Sequence, residues 1–429
     1  MRIDWKNKGF HLRKHVENNQ MLRHSALLFA GYLTAHILNM LYQMVVSRAL
    51  PKSEYALLAA FVGALLIVQY PLMTLTTALS HYSSLLLQHG RQGDVKRLLT
   101  RWLIRGCLAG AILIMAGLFF LQPITHMLHL DRSGPVIVAI FAVPAFLILP
   151  IVLGVSQGIQ RFGWNAGTTM GGSFARILLG VLLITAFDAT SGWALFGHGV
   201  GTAGTVIALA MGLYWVLQPC QSTQQPLPKL RFFLLQSGLA QLAYATLMTA
   251  DVILVQHFLP QESDFAYAAT LGRLTVFLSS TIVIAMFPKV TTNTKITPQQ
   301  FLIFKQSLMY TTICAATAII GCLLFPRLLL RILFGIKDPS QAQLYMTAAM
   351  ACIMGVSAIL NTCLQFLVAQ KRFTPTLFVL LAAAGYLLAA TIWHQYTWQI
   401  LTWSAIANVL ALLTLLPACR SAPRQTHEQ

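Results

Sequence analysis

Twelve long apolar runs, most of them free of Lys, Arg, Asp and Glu, divide the chain between residues 25 and 418. A helix that crosses a bilayer needs about 20 apolar residues, because each residue adds about 1.5 Å. We therefore predict an all-α, polytopic membrane protein with about twelve transmembrane helices. The runs span residues 25–47, 55–80, 106–124, 135–158, 164–187, 195–218, 232–256, 265–288, 306–325, 341–369, 375–393 and 397–418.

The composition excludes an ordinary soluble domain. Hydrophobic residues make up 57% of the chain and charged residues only 9%, whereas soluble domains carry about 25% charged residues. The net charge of +18 does not indicate nucleic-acid binding, because the basic residues form short clusters between apolar runs. In a membrane protein such clusters mark the cytoplasmic side.

The distribution of positive charge predicts the orientation. If the N-terminus is cytoplasmic, 21 of the 29 Lys and Arg residues fall on the inside, six fall in outer loops and two fall within spans. This bias supports an even number of spans and places both termini in the cytoplasm. We expect a multi-pass protein of the cytoplasmic (inner) membrane.

Two sequence similarities separated by about 211 residues indicate an internal repeat. The segment 50–55 resembles 259–267, and 159–162 resembles 370–373. Because each half holds six runs, the halves would be parallel, pseudo-symmetric six-helix lobes. The predicted division is a cytoplasmic N-terminal segment (1–24), an N-terminal lobe (25–220), a cytoplasmic linker (221–231), a C-terminal lobe (232–418) and a cytoplasmic tail (419–429).

One connection combines apolar and basic residues. Residues 81–101 join a run of leucines to a cluster of arginines and lysines. We predict a cytoplasmic helix that lies in the membrane interface; a solvated connector is the alternative.

Arg273 and Asp251 are charged residues well inside predicted spans. Both lie about 12–13 Å below the outer surface, on neighbouring antiparallel helices. A charge at that depth must face a cavity or a partner. Arg273 could bind an anion from a cavity, for which a guanidinium offers paired donors, or it could form a structural ion pair with Asp251, which is also a candidate for coupling.

Arg176 lies near the middle of the fifth span, about 18 Å deep. A cavity-facing cation and an internal structural partner are both compatible with that position. Arg48 ends the first span, where it could line a cavity rim or be solvated in the loop. The histidines His36 and His198 are interpreted as polar groups satisfied within spans, with proton coupling as the alternative.

Several segments resemble a known superfamily. Residues 47–55 resemble the first-loop signature of polysaccharide and oligosaccharide flippases, 251–259 their seventh span, 268–273 with 287–290 their eighth, and 158–163 the turn after their fourth. Together they resemble the multidrug/oligosaccharidyl-lipid/polysaccharide (MOP) exporter superfamily and, within it, the Wzx-like branch.

The resemblance implies two six-helix lobes that form a V around a central cavity. It implies a flippase that moves a polyprenyl-pyrophosphate-linked oligosaccharide across the membrane for cell-surface polysaccharide synthesis. The alternative is a cation-coupled drug antiporter of the MATE type. We expect no enzymatic activity, because neither a Walker loop nor a Ser/His/Asp set is present.

The expected partners are the lipid-linked glycan, membrane lipids and a glycan polymerase or glycosyltransferases of the same pathway, and no nucleic acid. No cofactor or metal is expected. Coupling to a Na⁺ or H⁺ gradient or to the membrane potential is left open.

Overall fold

A computed structural model describes residues 30–217, 231–290 and 297–420. Within these residues the chain forms fourteen helices and no strands. They are α1 (30–49), α2 (Lys52–Gln88), α3 (Gln92–Phe119), α4 (Leu121–Met127), α5 (Gly134–Gly158), α6 (Phe162–Ala186), α7 (Ser191–Val216), α8 (Arg231–Phe258), α9 (Phe265–Val290), α10 (Pro298–Leu324), α11 (Pro326–Phe334), α12 (Gln341–Ala369), α13 (Thr376–Ile392) and α14 (Thr397–Arg420).

Twelve of these helices match the twelve apolar runs one to one. Ten are long and apolar enough to cross a membrane, α13 is apolar but has only 17 residues, and α1 occupies the first run. The two remaining helices, α4 and α11, are short. The predicted all-α polytopic fold class is therefore confirmed.

The interfacial helix predicted over residues 81–101 is wrong. The helix α2 continues to Gln88 as a single 37-residue helix, about 55 Å long and thus longer than the bilayer core. Gly90 then adopts a left-handed conformation with φ of 69°, and α3 begins at Gln92. Glycine ends the helix at this point because it adopts positive φ without steric cost.

A buried carboxylate supports this tight turn. The side chain of Asp94, at the start of α3, is fully buried. Its oxygens accept ion pairs from Arg91 Nε at 2.7 Å and Arg97 Nη2 at 3.4 Å. The basic cluster is thus partly used to hold the α2–α3 corner together rather than to lie on a membrane surface.

The order of packing in the first seven helices recurs in the last seven. The helix α5 packs against α2, α3 and α7, and α12 packs against α9, α10 and α14. Likewise α6 packs on α7 and α13 packs on α14. The short helices α4 and α11 follow the third long helix of each half. Between the halves, α2 packs along α8.

The predicted lobe boundaries remain predictions. The N-terminal segment 1–24, most of the linker 221–231 and nearly all of the tail 419–429 lie outside the described residues. We use "basic end" for the end of the bundle where α2, α5, α9 and α12 end and where α3, α6 and α8 begin. The opposite end is the "far end".

Candidate functional site

A cavity of about 1730 Å³ lies between the two halves. Its walls come from α1, α2, α5, α6, α7, α8, α9 and α12. The lining reaches the basic end, where it includes Tyr82, Gln160 and Phe373. It includes none of the residues at the start of α2 or α9, which lie at the far end.

Arg176 projects from α6 into this cavity. It lies about 21 Å from the basic end of the helix. Its Nη1 donates to Asn39 Oδ1 at 2.6 Å and its Nη2 donates to Thr202 Oγ1 at 3.2 Å. Its Nε has no hydrogen-bond partner among the described residues. Because both acceptors are neutral, no described contact compensates the charge of this guanidinium.

Close packing of α6 on α7 places Thr202 beside Arg176. A Cβ atom on Gly197 would lie 2.6 Å from the backbone nitrogen of Gly180, and one on Gly201 would lie 2.8 Å from the carbonyl oxygen of Gly172. Only glycine allows two helices to approach so closely. The glycines of the fifth and sixth spans therefore determine the environment of the arginine.

Arg273 lines the same cavity from α9. It lies about 26 Å from the basic end of its helix, within about 5 Å of the depth of Arg176. Its Nη2 forms an ion pair with Asp251 Oδ1, and its Nε donates to the carbonyl oxygen of Met248 at 3.0 Å. Arg273 is therefore both part of the cavity lining and paired with Asp251.

Asp251 lies behind Arg273, outside the cavity lining. Its residue is 1% exposed. Its Oδ1 also accepts from the backbone N–H of Val252 at 2.9 Å, while Oδ2 has no hydrogen-bond partner among the described residues. The carboxylate thus orients and compensates the guanidinium without direct access to the cavity.

Arg48 lies outside the cavity lining. It ends α1 at the far end, where its Nη2 donates to the carbonyl oxygen of Ile332 on α11 and its side chain packs against Gly335. The cavity reaches the basic end of the bundle, whereas Arg48 lies at the far end. The prediction that Arg48 could line the rim of the cavity is therefore wrong. Arg48 instead ties the short helix α11 to α1.

The rest of the lining is mostly apolar but carries many amide side chains. Among the described residues, no Asp or Glu contributes to the cavity wall. Nine amide side chains do: Asn39, Gln43, Gln69, Gln157, Gln160, Gln236, Gln241, Asn361 and Gln365. Three of them, Gln157, Gln160 and Gln236, lie near helix ends, where polar residues resemble ordinary loop residues in the sequence.

Aromatic and imidazole side chains complete the wall. Tyr32, Tyr42 and Tyr70 line the cavity together with His36 and His198. The tyrosines were not singled out from the sequence, because an aromatic residue in an apolar run gives no signal of which face it occupies.

The far end is closed by contacts between the two halves. Lys52 Nζ lies 2.8 Å from Asp264 Oδ1, and the rings of Tyr55 and Tyr267 stack with centroids 4.7 Å apart. Phe334 of α11 packs against both tyrosines. The members of the first two pairs are each 212 residues apart, close to the offset of about 211 between the repeats, so each contact joins corresponding regions of the two halves.

Comparison with solved structures identifies the fold. A multidrug resistance MATE family transporter of the MOP superfamily, in an inward-facing conformation, superposes with a TM-score of 0.68 at 10% identity, covering 92% of this chain and 97% of the other. The lipid II flippase MurJ, in an inward closed conformation, gives 0.63 at 11% identity, covering 93% and 88%.

A third structure is a MOP superfamily transporter from Pyrococcus furiosus. It gives a TM-score of 0.65 at 12% identity, with 93% of this chain and 95% of the other covered. That protein is described as having a binding pocket of reverse polarity that suggests a different function. The sequence itself matches no family model and no curated protein. The chain therefore has the MOP superfamily fold predicted from its sequence.

Proposed function

We propose that this chain is a transporter that moves a polyprenyl-pyrophosphate-linked oligosaccharide across the cytoplasmic membrane by alternating access. The observation that carries the proposal is that each half contributes one guanidinium, Arg176 or Arg273, to a single large cavity whose described lining has no carboxylate. A cargo that contacts both arginines would also bridge the two halves, which have to move relative to each other during transport.

The charge of the cavity favours an anionic cargo. Arg273 is compensated by Asp251, whereas Arg176 has only neutral partners. An uncompensated cation in a region of low dielectric constant interacts strongly with an anion. Guanidinium groups also match the geometry of phosphate oxygens, because two parallel N–H donors can bind one group.

The size and the remaining lining favour a large, hydroxyl-rich headgroup. The volume of about 1730 Å³ exceeds the range of about 300–1,000 Å³ that is typical of sites for drug-sized ligands. The nine amide side chains can donate to and accept from sugar hydroxyls, and the tyrosine rings offer flat surfaces with a polar edge.

The conformation would be the one that loads cargo from the cytoplasm. The predicted orientation places the basic end inside, and the cavity reaches this end. The far end is closed by the Lys52–Asp264 and Tyr55–Tyr267 contacts. Separation of those contacts, with closure of the basic end, would expose the same arginines to the other side.

The alternative cation antiporter would need a carboxylate that is free to bind a cation. Asp251 is the carboxylate well inside a span, and it is occupied by Arg273 and screened from the cavity. The charge of the site therefore favours the flippase over the antiporter.

Reconstitution tests the proposal. Proteoliposomes that contain the protein and a fluorescent polyprenyl-pyrophosphate oligosaccharide should transfer the label between leaflets, as measured by accessibility to an added glycosidase. Arg176→Gln and Arg273→Gln should each slow transfer at least about tenfold, the loss of one charge-assisted contact. Arg132→Gln, an exposed loop arginine at the far end, is the matched control and should transfer normally.

A different result in the same vesicles would support the cation antiporter. If the vesicles move a cationic dye in response to a Na⁺ or H⁺ gradient and leave the lipid-linked glycan in place, the antiporter is correct and the flippase is not. In cells, depletion of the protein should cause the lipid-linked precursor to accumulate and the surface glycan to disappear.

A further inference from the structure

His198 is a buried imidazole in the cavity wall beside Arg176. It lies on α7, is 7% exposed and contributes to the lining. Its ring stacks on Phe146 with centroids 5.5 Å apart and lies at a tilt to Tyr42 at 5.8 Å. Its Nδ1 is buried and has no hydrogen-bond partner among the described residues. A buried polar nitrogen without a partner is costly, and such groups are often completed by a ligand or water.

One hydroxyl connects this histidine to the arginine. Thr202 Oγ1 accepts from Arg176 Nη2 at 3.2 Å and donates to the carbonyl oxygen of His198 at 2.9 Å. His198 and Thr202 are one turn apart on α7, and Arg176 faces them from α6. Thr202 thus joins Arg176 to the backbone of His198, and both residues line the cavity from two tightly packed helices.

Few titratable groups surround the imidazole. The helix α6 contributes Arg176, and α1 contributes the phenol of Tyr42, whose OH donates to the Ala194 carbonyl at 2.8 Å. From α5 the ring meets Phe146, which does not titrate. On α2 the carboxylate of Glu54 accepts from the backbone N–H of Ser191, two turns of α7 away. An imidazolium beside an uncompensated guanidinium is unfavourable, because two like charges repel strongly at low dielectric constant.

The charge of the cargo determines how much positive charge the binding site has to supply. A pyrophosphate with substituents on both ends carries two negative charges. Arg176 supplies one uncompensated positive charge, and the charge of Arg273 is already balanced by Asp251. Lys371 also lines the cavity, but it lies at the basic end, just beyond the end of α12. A second positive charge beside Arg176 is therefore needed to bury the dianion there without a net charge. His198 can supply it by accepting a proton.

We propose that His198 and Arg176 together form the pyrophosphate-binding site, and that His198 takes up one proton when the dianion binds. The proton passes from water in the cavity to a ring nitrogen, and no bond to phosphorus is made or broken. The bound state then holds two negative and two positive charges. This inference rests on the proposed function, because it takes the anionic cargo as given.

Isothermal titration calorimetry of the full-length protein in detergent tests the proposal with UDP-glucose. This soluble compound has a disubstituted pyrophosphate that does not titrate near neutral pH. Titrations in two buffers of different ionisation enthalpy give the number of protons taken up per ligand bound. We expect net proton uptake approaching one in the wild type, and an affinity that rises as the pH falls from alkaline to acidic.

Two variants identify the group that takes up the proton. His198→Gln should bind UDP-glucose without proton uptake, with an affinity at acidic pH about tenfold below that of the wild type, as expected for loss of one charge-assisted contact. His394→Gln is the control, since this half-buried histidine stacks on Phe258 and contacts the Thr391 carbonyl at the far end, outside the cavity lining; proton uptake should be unchanged.

Three outcomes would overturn the inference. They are unchanged proton uptake in His198→Gln, no uptake or no pH dependence in the wild type, and failure of the wild type to bind UDP-glucose. The pH dependence and proton uptake of the wild type are measured without any variant. They therefore test the inference even if His198→Gln does not fold. Transfer of lipid-linked glycan in proteoliposomes is measured separately. Transfer without proton-linked binding refutes only this inference, and proton-linked binding without transfer refutes only the proposed function.

Discussion

The ion pair between Asp251 and Arg273 allows a structural role to be separated from a cargo-binding role. Both side chains are almost completely buried, at 1% and 6% exposed. Asp251→Asn leaves the guanidinium about 12 Å below the far end of α9 without a counter-charge. Removal of one partner of a buried pair costs about 3–5 kcal/mol. Arg273→Gln, which strands the carboxylate, should cost a similar amount.

The double variant Asp251→Asn/Arg273→Gln removes both charges and should be much more stable than the sum of the single effects predicts. Two neutral amides of similar size can still hydrogen bond, so we expect a double-mutant coupling energy of about 3 kcal/mol or more. Reversible unfolding in mixed detergent micelles measures the four free energies of unfolding. Additive effects, with no coupling, would refute the inference that the pair is a buried ion pair.

Transport provides the second measurement. If Arg273 contacts cargo, the double variant should be stable yet slow by at least about tenfold in the proteoliposome assay, because the charge-assisted contact is lost. Wild-type rates in a stable double variant would show that the pair serves only to hold α8 and α9 together. In that case Arg176 would remain as the arginine in the cavity with a role in binding.

Three further predictions concern other parts of the molecule. Arg176→Gln should change the free energy of unfolding by only about 1–2 kcal/mol, because its partners are neutral; a loss as large as that of Asp251→Asn would make Arg176 a structural anchor. Lys52→Asp should shift the population towards an open far end by about fivefold, and adding Asp264→Lys should reverse the shift, as seen by the distance between fluorophores at the far ends of α2 and α9; unchanged distances would exclude a gating role. Gly197→Val should cost about 1–3 kcal/mol or more because its side chain meets α6, whereas Gly204→Val, with no atom nearby, should be tolerated in the same unfolding assay; equal effects would contradict the close helix contact.

The helices could be predicted because the bilayer imposes a simple rule. A backbone in lipid must satisfy its own hydrogen bonds, so each apolar run of sufficient length forms a helix. The rule says nothing about shorter elements, and the sequence therefore did not predict α4 and α11. It also placed a separate helix at 81–101, because a run of leucines is followed there by a basic cluster, whereas Gly90 ends α2 within this segment.

The depth of the charged residues in the membrane could be predicted from the sequence, whereas the face of the helix on which each side chain lies could not. The positions of Asp251 and Arg273 along neighbouring antiparallel helices gave equal depths, and the structure pairs them. The sequence contains no information about which end of the cavity is open, so the far-end position of Arg48 relative to the cavity was not foreseen. The sequence identified His198 as a candidate for proton coupling, but its position in the cavity wall could not be predicted, because the face of α7 that it occupies depends on how α7 packs on α6.

The ion pair that helps to close the far end would be lost in a protein built from two copies of the same half. Lys52 and Asp264 are 212 residues apart, which is close to the repeat offset of about 211, and they carry opposite charges. A protein assembled from two copies of the first half would bring Lys52 against a second lysine, and one assembled from two copies of the second half would bring Asp264 against a second aspartate. Like charges in contact repel. The two halves therefore carry complementary charges at this contact, and neither half can replace the other there without placing like charges together.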